Sequence, residues 1–259
     1  MYLAMSIAAS GLRNQQTRID SIANNVANAN TVGFKNARLD FKDSLYTVGL
    51  TPGPNRTVDG NLKKGHGLMT NAVTRDFKQA HFERTERELD FAIENEGFFA
   101  FQNAVGEVVY GRNGVFNLSV EADGTYIVNG EGLYVLDENE NRIQIPLGTN
   151  KIEYDTDGTL RFVTYDSVEL GRATLGMFTF RNLKGLAAAG STTFSATPAA
   201  GERRLAENAI LRQGVIEGSN VKLADEMARL IRTQRAFQLA SRALSTADQM
   251  EGIANQMRR

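Results

Sequence analysis

The 259-residue sequence carries a net charge of −1, with 42% hydrophobic and 23% charged residues and no cysteine. The near-neutral balance offers no global basic field for nucleic acid or anionic lipid. The missing cysteine excludes disulfides, thiolate metal ligands and a thiol nucleophile, and the sequence has no run of the about 18 apolar residues that a membrane span needs.

The opening MYLAMSIAASGL is mildly apolar, but no basic residue precedes it and the pattern runs on past Arg13. It reads as part of the mature fold and not as a cleaved signal. From Met5 the residues Met5, Ala8, Leu12, Gln15, Ile19, Ile22, Val26 and Ala29 recur in steps of three and four. That seam predicts a coiled-coil-like helix from about Leu3 to Ala29. Four of the seven residues from Asn24 to Asn30 are asparagine, whose amide competes for backbone hydrogen bonds inside a helix. Two readings stand. Asn28, Asn30 and Gly33 stop the helix as caps, or Asn24, Asn25 and Asn28 make lateral contacts that fix register between molecules. Gly11, inside the helix, costs about 1 kcal/mol relative to alanine and points to a close helix approach.

Residues 36–82 read as a linker or extended connection, containing TPGPN and GNLKKGHG. The glycines of the latter have the spacing of a phosphate loop. His66 and Gly67 stand where Lys and Ser/Thr would contact phosphate and metal, so a turn is expected. His66 and His81 are the only histidines, with no acidic cluster at ligand spacing beside them, and no metal or cofactor is expected.

Residues 83–206 read as an all-β domain. Short runs such as GFFAF, EVVY, TYIV, LYVL and ATLGMFTF alternate with turn signals at Asp123-Gly124, Asn129-Gly130 and Asp157-Gly158. The domain is expected to be self-contained. Its entry, ERTERELDFAIENEG at 83–97, is rich in carboxylates. A glycosidase would set two of them across a cleft, but Leu89, Phe91 and Ile93 alternate as a strand does, which leaves the acids as a solvated face. A cell-wall glycosidase is the alternative kept from this segment; otherwise no catalytic residue is expected.

Residues 207–259 are expected to supply the C-terminal helix. Leu223, Met227, Leu230, Phe237 and Leu244 follow one seam, with Gln234 and Ser241 in its intermediate places. Ala236, Ala240, Ala243, Ala247, Met250, Ala254 and Met257 follow a second. Arg229, Arg232, Arg235 and Arg242 lie on the polar side, too thin a footprint for nucleic acid and better suited to acidic neighbours or helix-end carbonyls.

The predicted architecture is therefore α+β and multi-domain. Residues 1–35 and 207–259 form one discontinuous coiled-coil domain, with an all-β domain inserted between them. An isolated helix of this composition is marginal, and the β domain cannot cover both ends, so a second copy of the molecule is the expected cover. The candidate assembly interface comprises Leu12, Ile19, Ile22, Asn24, Asn25, Val26, Asn28, Leu223, Met227, Leu230, Phe237 and Leu244.

The stretch SGLRNQQTRIDSIANNVANANTVGFK resembles the N-terminal signature of bacterial flagellar rod and hook proteins. The resemblance rests on Ser10, Gly11, Leu12, Gln15, Gln16, Ile22, Ala23, Asn24, Asn25, Ala27, Asn28, Thr31, Gly33, Phe34 and Lys35. LDFAIENEGFFAF is similar to the family's entry into its β domain, and YGRNGVFNLSVEADGTYIVNGEGLYVL to its first hairpins. The segment from Leu211 to Met250 resembles its C-terminal helix, and the ending is more similar to distal-rod than to proximal-rod members. YGRNG departs from the family pattern, which has Thr between Tyr and Arg, and the first residues follow it loosely. The resemblance implies a structural axial protein whose termini line an export channel. It further implies a homo-oligomeric helical tube in the basal body that carries torque and contacts neighbouring rod and hook proteins. Export would run through the flagellar type III apparatus without a cleaved signal, and neither nucleic acid nor membrane insertion is implied.

Overall fold

Two long helices, α1 (Tyr2–Ala27) and α2 (Leu223–Met257), stand at the two ends of a series of short strands, a mixed α+β chain as expected. The structure, a computed structural model, describes residues 2–50, 58–155, 158–166 and 168–257. TPGPN and Asp157 of the expected Asp157-Gly158 turn lie outside the described residues. No helix among the described residues is long and apolar enough to cross a membrane. The chain divides into two compact units. One takes α1, Ala37–Asp76 and α2; the other takes Asn28–Asn36 and Phe77–Val221.

In the first unit α1 packs on α2 and on the strands Ala37–Asp43 and Leu68–Arg75. Its seam residues Leu12, Ile19 and Val26 are half-buried and Ile22 is buried. On α2 the inward line runs Glu226, Leu230, Thr233, Phe237, Ala240, Leu244, Ala247, Glu251, all buried or half-buried. Those steps of four and three are the heptad rhythm, but the line differs from both expected seams. Leu223 and Met227 are exposed, and the polar Glu226 and Thr233 take inward places because each has a partner. Thr233 Oγ1 donates to the Arg229 carbonyl at 2.8 Å, and Glu226 accepts from Arg229 at 2.7 Å. The Asn25 amide reaches Glu226 at 3.4 Å, so the end of α1 lies beside the start of α2 and the helices run antiparallel.

The segment read as a linker is strand. Ala37–Asp43 pairs antiparallel with Leu68–Arg75, with a bulge between Asp40 and Phe41, and Tyr46–Leu50 pairs with Val58–Gly65. Most of Leu68–Arg75 is exposed, so the strand has little apolar alternation to announce it. Leu39 is buried, and the Arg18 guanidinium lies 5.7 Å from the Phe41 ring centre. One side of α1 is therefore covered by its own chain.

The second unit is built around Phe98–Gln102, which pairs with Val108–Gly111, Tyr134–Val135 and Met177–Phe180 in an antiparallel sheet. Every residue from Phe98 to Phe101 is buried because both faces of this strand are covered. Phe99 and Phe101 face a core with Phe91, Phe116, Ile127, Leu160 and Phe162. Phe98 and Ala100 face another with Tyr110, Leu136, Phe178, Phe180 and Phe194. A three-stranded sheet, Lys151–Tyr154, Thr159–Val163 and Glu169–Thr174, contributes to the first core. Two strands come from the segment expected to open the C-terminal helix: Ile210–Gln213 pairs with Phe91–Glu94, and Val215–Glu217 with Phe82–Arg84. Gly214, at φ +70°, separates them, and α2 begins only at Leu223.

Phe99 is fully buried, with its ring 5.2 Å from that of Phe116 in an edge-to-face contact. Phe99→Ala is expected to lower unfolding stability by about 3–5 kcal/mol, read as a lower urea midpoint. A loss below about 1 kcal/mol would place the core elsewhere.

Candidate functional site

The asparagines at the end of α1 divide into different jobs. Asn25, 1% exposed, turns its amide on the backbone of Ala37: Nδ2 donates to the carbonyl at 2.8 Å and Oδ1 accepts from N–H at 3.0 Å. A carboxamide used this way acts as a short strand partner. Asn14, three turns earlier, does the same kind of work on the other strand. Its Nδ2 donates to the Leu68 carbonyl at 2.7 Å and its Oδ1 accepts from Thr70 Oγ1 at 2.9 Å. The two amides lie eleven residues apart on one face of α1 and hold both strands against it. Leucine at either place would leave buried strand groups unpaired.

Asn28 is in the turn that follows, accepting at Oδ1 from Thr31 Oγ1 at 3.1 Å while its carbonyl accepts from Thr31 N–H at 3.2 Å. Asn24 is exposed. Gly33 has φ +70°, and a Cβ there would sit 2.5 Å from Asn113 N, so glycine is required on both conformational and steric grounds.

The turn delivers Lys35 into a buried charge cluster in the second unit. Lys35 and Glu217 have fully buried side chains, and Arg112 is 4% exposed. Glu217 Oε1 accepts from Lys35 Nζ at 2.7 Å and Ala80 N–H at 2.8 Å. Its Oε2 accepts from Arg112 Nη1 at 3.0 Å. One carboxylate faces two cations, and carbonyls take further donors: Lys35 Nζ donates to Lys78 O at 2.9 Å, and Arg112 donates to Ile93 O and Asn95 O at 3.1 and 2.6 Å. Each member is thus hydrogen-bonded, the condition for a buried charge to persist. Backbone bonds complete the closure: Gly33 N–H donates to Glu217 O at 2.8 Å, and Asn36 N–H to Asn220 Oδ1 at 2.7 Å. The strand of chain leaving α1 and the strand approaching α2 are therefore tied side by side. The sequence reading missed Arg112 and Glu217 altogether; the only signal was a charge set in otherwise apolar or glycine-rich runs, YGRNG and VIEGSN.

Of the expected interface residues, Ile22 and Asn25 are buried within the chain, Leu12, Ile19, Val26, Asn28, Leu230, Phe237 and Leu244 are half-buried, and Asn24, Leu223 and Met227 are exposed. Among the acids of 83–97, Glu94 pairs with Arg212 at 2.6 Å and Asp90 with Arg87 at 3.6 Å, and Glu83 Oε1 is hydrogen-bonded to His81 Nε2 at 2.8 Å. A Cβ added at Gly11 would meet nothing within 4 Å, so this glycine marks no close approach among the described residues.

Comparison with known proteins gives three family matches in chain order. Residues 5–35 match the flagella basal body rod protein family, 92–162 the D1 domain of flagellar hook protein FlgE/F/G, and 212–257 the C-terminal family of flagellar basal body rod FlgEFG proteins. The chain is 34% identical to the flagellar basal-body rod protein FlgG of Borreliella burgdorferi over 100% of both chains. It is 36% identical to FlgG of Agrobacterium fabrum over 97% of this chain and 98% of that one. It is 30% identical to the flagellar hook-basal body complex protein FlhP of Bacillus subtilis over 100% of both.

Glu217→Gln takes the shared carboxylate away from two buried cations and is expected to destabilise the protein by about 3–5 kcal/mol. Glu217→Asp, which keeps the charge, should lose less. Equal losses for the two would rule out the charge as the cause. A fragment spanning 83–206 lacks Lys35, Ala80, Glu217 and the strands at 210–217, and it is expected to melt at a lower temperature than the full chain or without a cooperative transition. Asn25→Ala is expected to cost about 1–3 kcal/mol and to speed amide exchange at Ala37.

Proposed function

The chain belongs to the flagellar basal-body rod protein family and is a structural rod protein of the flagellum; on that premise we propose that it polymerises through its terminal helices into a helical tube. The distal part of the rod fits this chain. The tube would enclose an export channel and transmit torque, with the helices as its inner coiled-coil layer and the inserted β-rich unit outside. Neighbouring rod and hook proteins would cap its two ends, and the flagellar type III apparatus would export the subunit without cleavage of a signal. Residues 1–35 and 207–259 would supply the inner domain, 36–82 the connection and 83–206 the core of the outer domain, the last boundary extended by the strands up to Glu217.

The observation that carries this reading is the outer side of α2. Leu223, Met227, Ile231, Leu239, Met250, Ile253 and Met257 are 43–79% exposed. At about 100° per residue they wind over the side of the helix away from the Glu226-to-Glu251 line. Scattered exposed leucines need no explanation, but one patch at Leu223, Met227 and Ile231 and another at Met250, Ile253 and Met257, with Leu239 between them among polar residues, make an interrupted apolar stripe that marks an association surface. A head-to-tail contact whose rotation does not close produces an open helical tube. Within the expected interface, Leu223, Met227 and Asn24 are exposed, and Leu223 and Met227 belong to the apolar surface offered to a neighbour. Leu12, Ile19, Ile22, Val26, Leu230, Phe237 and Leu244 form the helical core that holds the stripe in place, with Asn25 and Asn28 fixing the geometry at the end of α1.

Ile231→Asp and Leu239→Asp test the proposal. Each is expected to abolish sedimentable polymer and swimming while leaving the far-ultraviolet helical signal of the monomer unchanged. Polymers of normal length from both variants would remove the stripe from the assembly surface.

A further inference from the structure

Phe116–Glu121 lies at an edge of its sheet. Among the described residues its one strand partner is Gly124–Asn129. Ile127 N–H, opposite Leu118, donates away from this strand to the Ile143 carbonyl at 3.2 Å, and Phe116 N–H turns outward to the Leu89 carbonyl at 3.1 Å. Backbone groups along an antiparallel strand alternate in direction, so those of Leu118 and Val120 point away from the sheet, and no hydrogen bond takes them among the described residues. Their side chains share the face of the buried Phe116, yet they are 48 and 82% exposed. Beside Leu118 lies an open recess of about 300 Å³ whose walls include Leu89, Ile145 and Ile152.

A second edge strand contributes to the same recess, and it is guarded. Lys151–Tyr154 is the outer strand of the three-stranded sheet. Glu88 Oε2 accepts from its Ile152 N–H at 3.4 Å, and Gln213 Nε2 donates to its Ile152 carbonyl at 3.1 Å. Phe116–Glu121 has no comparable cover over Leu118 and Val120. It also has no proline, lysine or bulge, the devices that keep an edge from pairing.

We propose that this edge pairs antiparallel with the same edge of a second copy. Centred on Ser119, the pairing sets Leu118 opposite Val120 of the second copy and Val120 opposite its Leu118. Each such pair exchanges both of its N–H···O bonds, which satisfies the outward backbone groups, while side chains set the specificity. On the apolar face Val120 of one copy covers Leu118 of the other at the mouth of the recess. On the opposite face Glu121 comes against Asn117 of the second copy, whose Oδ1 accepts from Arg87 Nη2 at 3.3 Å, so a carboxylate approaches a guanidinium. The two copies run in opposite directions across this contact, and it closes as a dimer. It is therefore a contact of the free subunit, not a step in a tube whose subunits all point one way, and it does not depend on the tube.

Cysteine pairing in the full chain tests it, since the chain has no cysteine of its own. Ser119 meets its own copy in a non-hydrogen-bonded pair, where Cα atoms are about 4.5 Å apart and within disulfide reach. Ser119→Cys is expected to oxidise to a covalent dimer and no further, about tenfold or more faster than Glu121→Cys, whose counterpart is Asn117 and lies too far from itself to bridge. Equal rates, or a Ser119→Cys chain that stays monomeric, overturn the inference. Without cysteine, Val120→Lys is expected to raise the dimer dissociation constant in sedimentation equilibrium about tenfold or more; an unchanged constant overturns it. Both measurements use the Ile231→Asp chain, in which polymer does not compete. A dimer there, with no polymer from the parent, defeats the tube and upholds this contact; polymer from the parent, with no dimer there, does the reverse.

Discussion

The second unit is organised by a single carboxylate, that of Glu217. It lies fully buried between Lys35 and Arg112, residues 182 and 105 positions earlier in the chain. A buried ion pair is seldom a net source of stability, because desolvation offsets the attraction. Its effect is on uniqueness: with Lys35 and Arg112 buried, the carboxylate between them ties these distant segments to one arrangement. The tight turn at Gly33, the Ala80 N–H and the Asn220 side chain all converge on the same place.

That closure has a consequence for a structural protein under load. The chain enters and leaves the β-rich unit at adjacent points, held by backbone bonds between Gly33 and Glu217 and between Phe34 and Asn220. Force applied along either passage meets a cluster of charge-assisted hydrogen bonds, about twice as strong as neutral ones. In the first unit the two amides of Asn14 and Asn25 perform a related task. They convert one face of α1 into a hydrogen-bonding edge that a two-stranded sheet can recognise. Such a sheet is marginal alone, and the helix stabilises it as the sheet covers the helix.

The remaining apolar side of α2 has a different standing. Its inward line holds Leu230, Phe237 and Leu244 beside residues as small as Ala240 and Ala247, while the equally large Ile231, Leu239 and Ile253 stay exposed. Burying a side chain of that size yields about 1.5–3 kcal/mol. Leaving several exposed is intelligible when that surface is reserved for contact between copies.

The residue pattern alone determined the two terminal helices, the β-rich middle and the family, because helical and strand periodicities are local properties and the signature blocks stand in order along the chain. It also carried the break at Gly33. Only the tertiary structure decided what the asparagines do, since a carboxamide can cap, pair with a strand or face a neighbour with equal local plausibility, and its partners at Ala37 and Leu68 are remote in sequence. The same holds for the sheet at 37–75, where Ala37, Leu39 and Phe41 alternate with charged residues but the partner strand Leu68–Arg75 is mostly exposed and has no such alternation, and for the strands at 210–217, whose pairing partners lie more than a hundred residues earlier. The Lys35–Glu217–Arg112 cluster is the extreme case: three isolated charges acquire meaning only when folding removes the water between them.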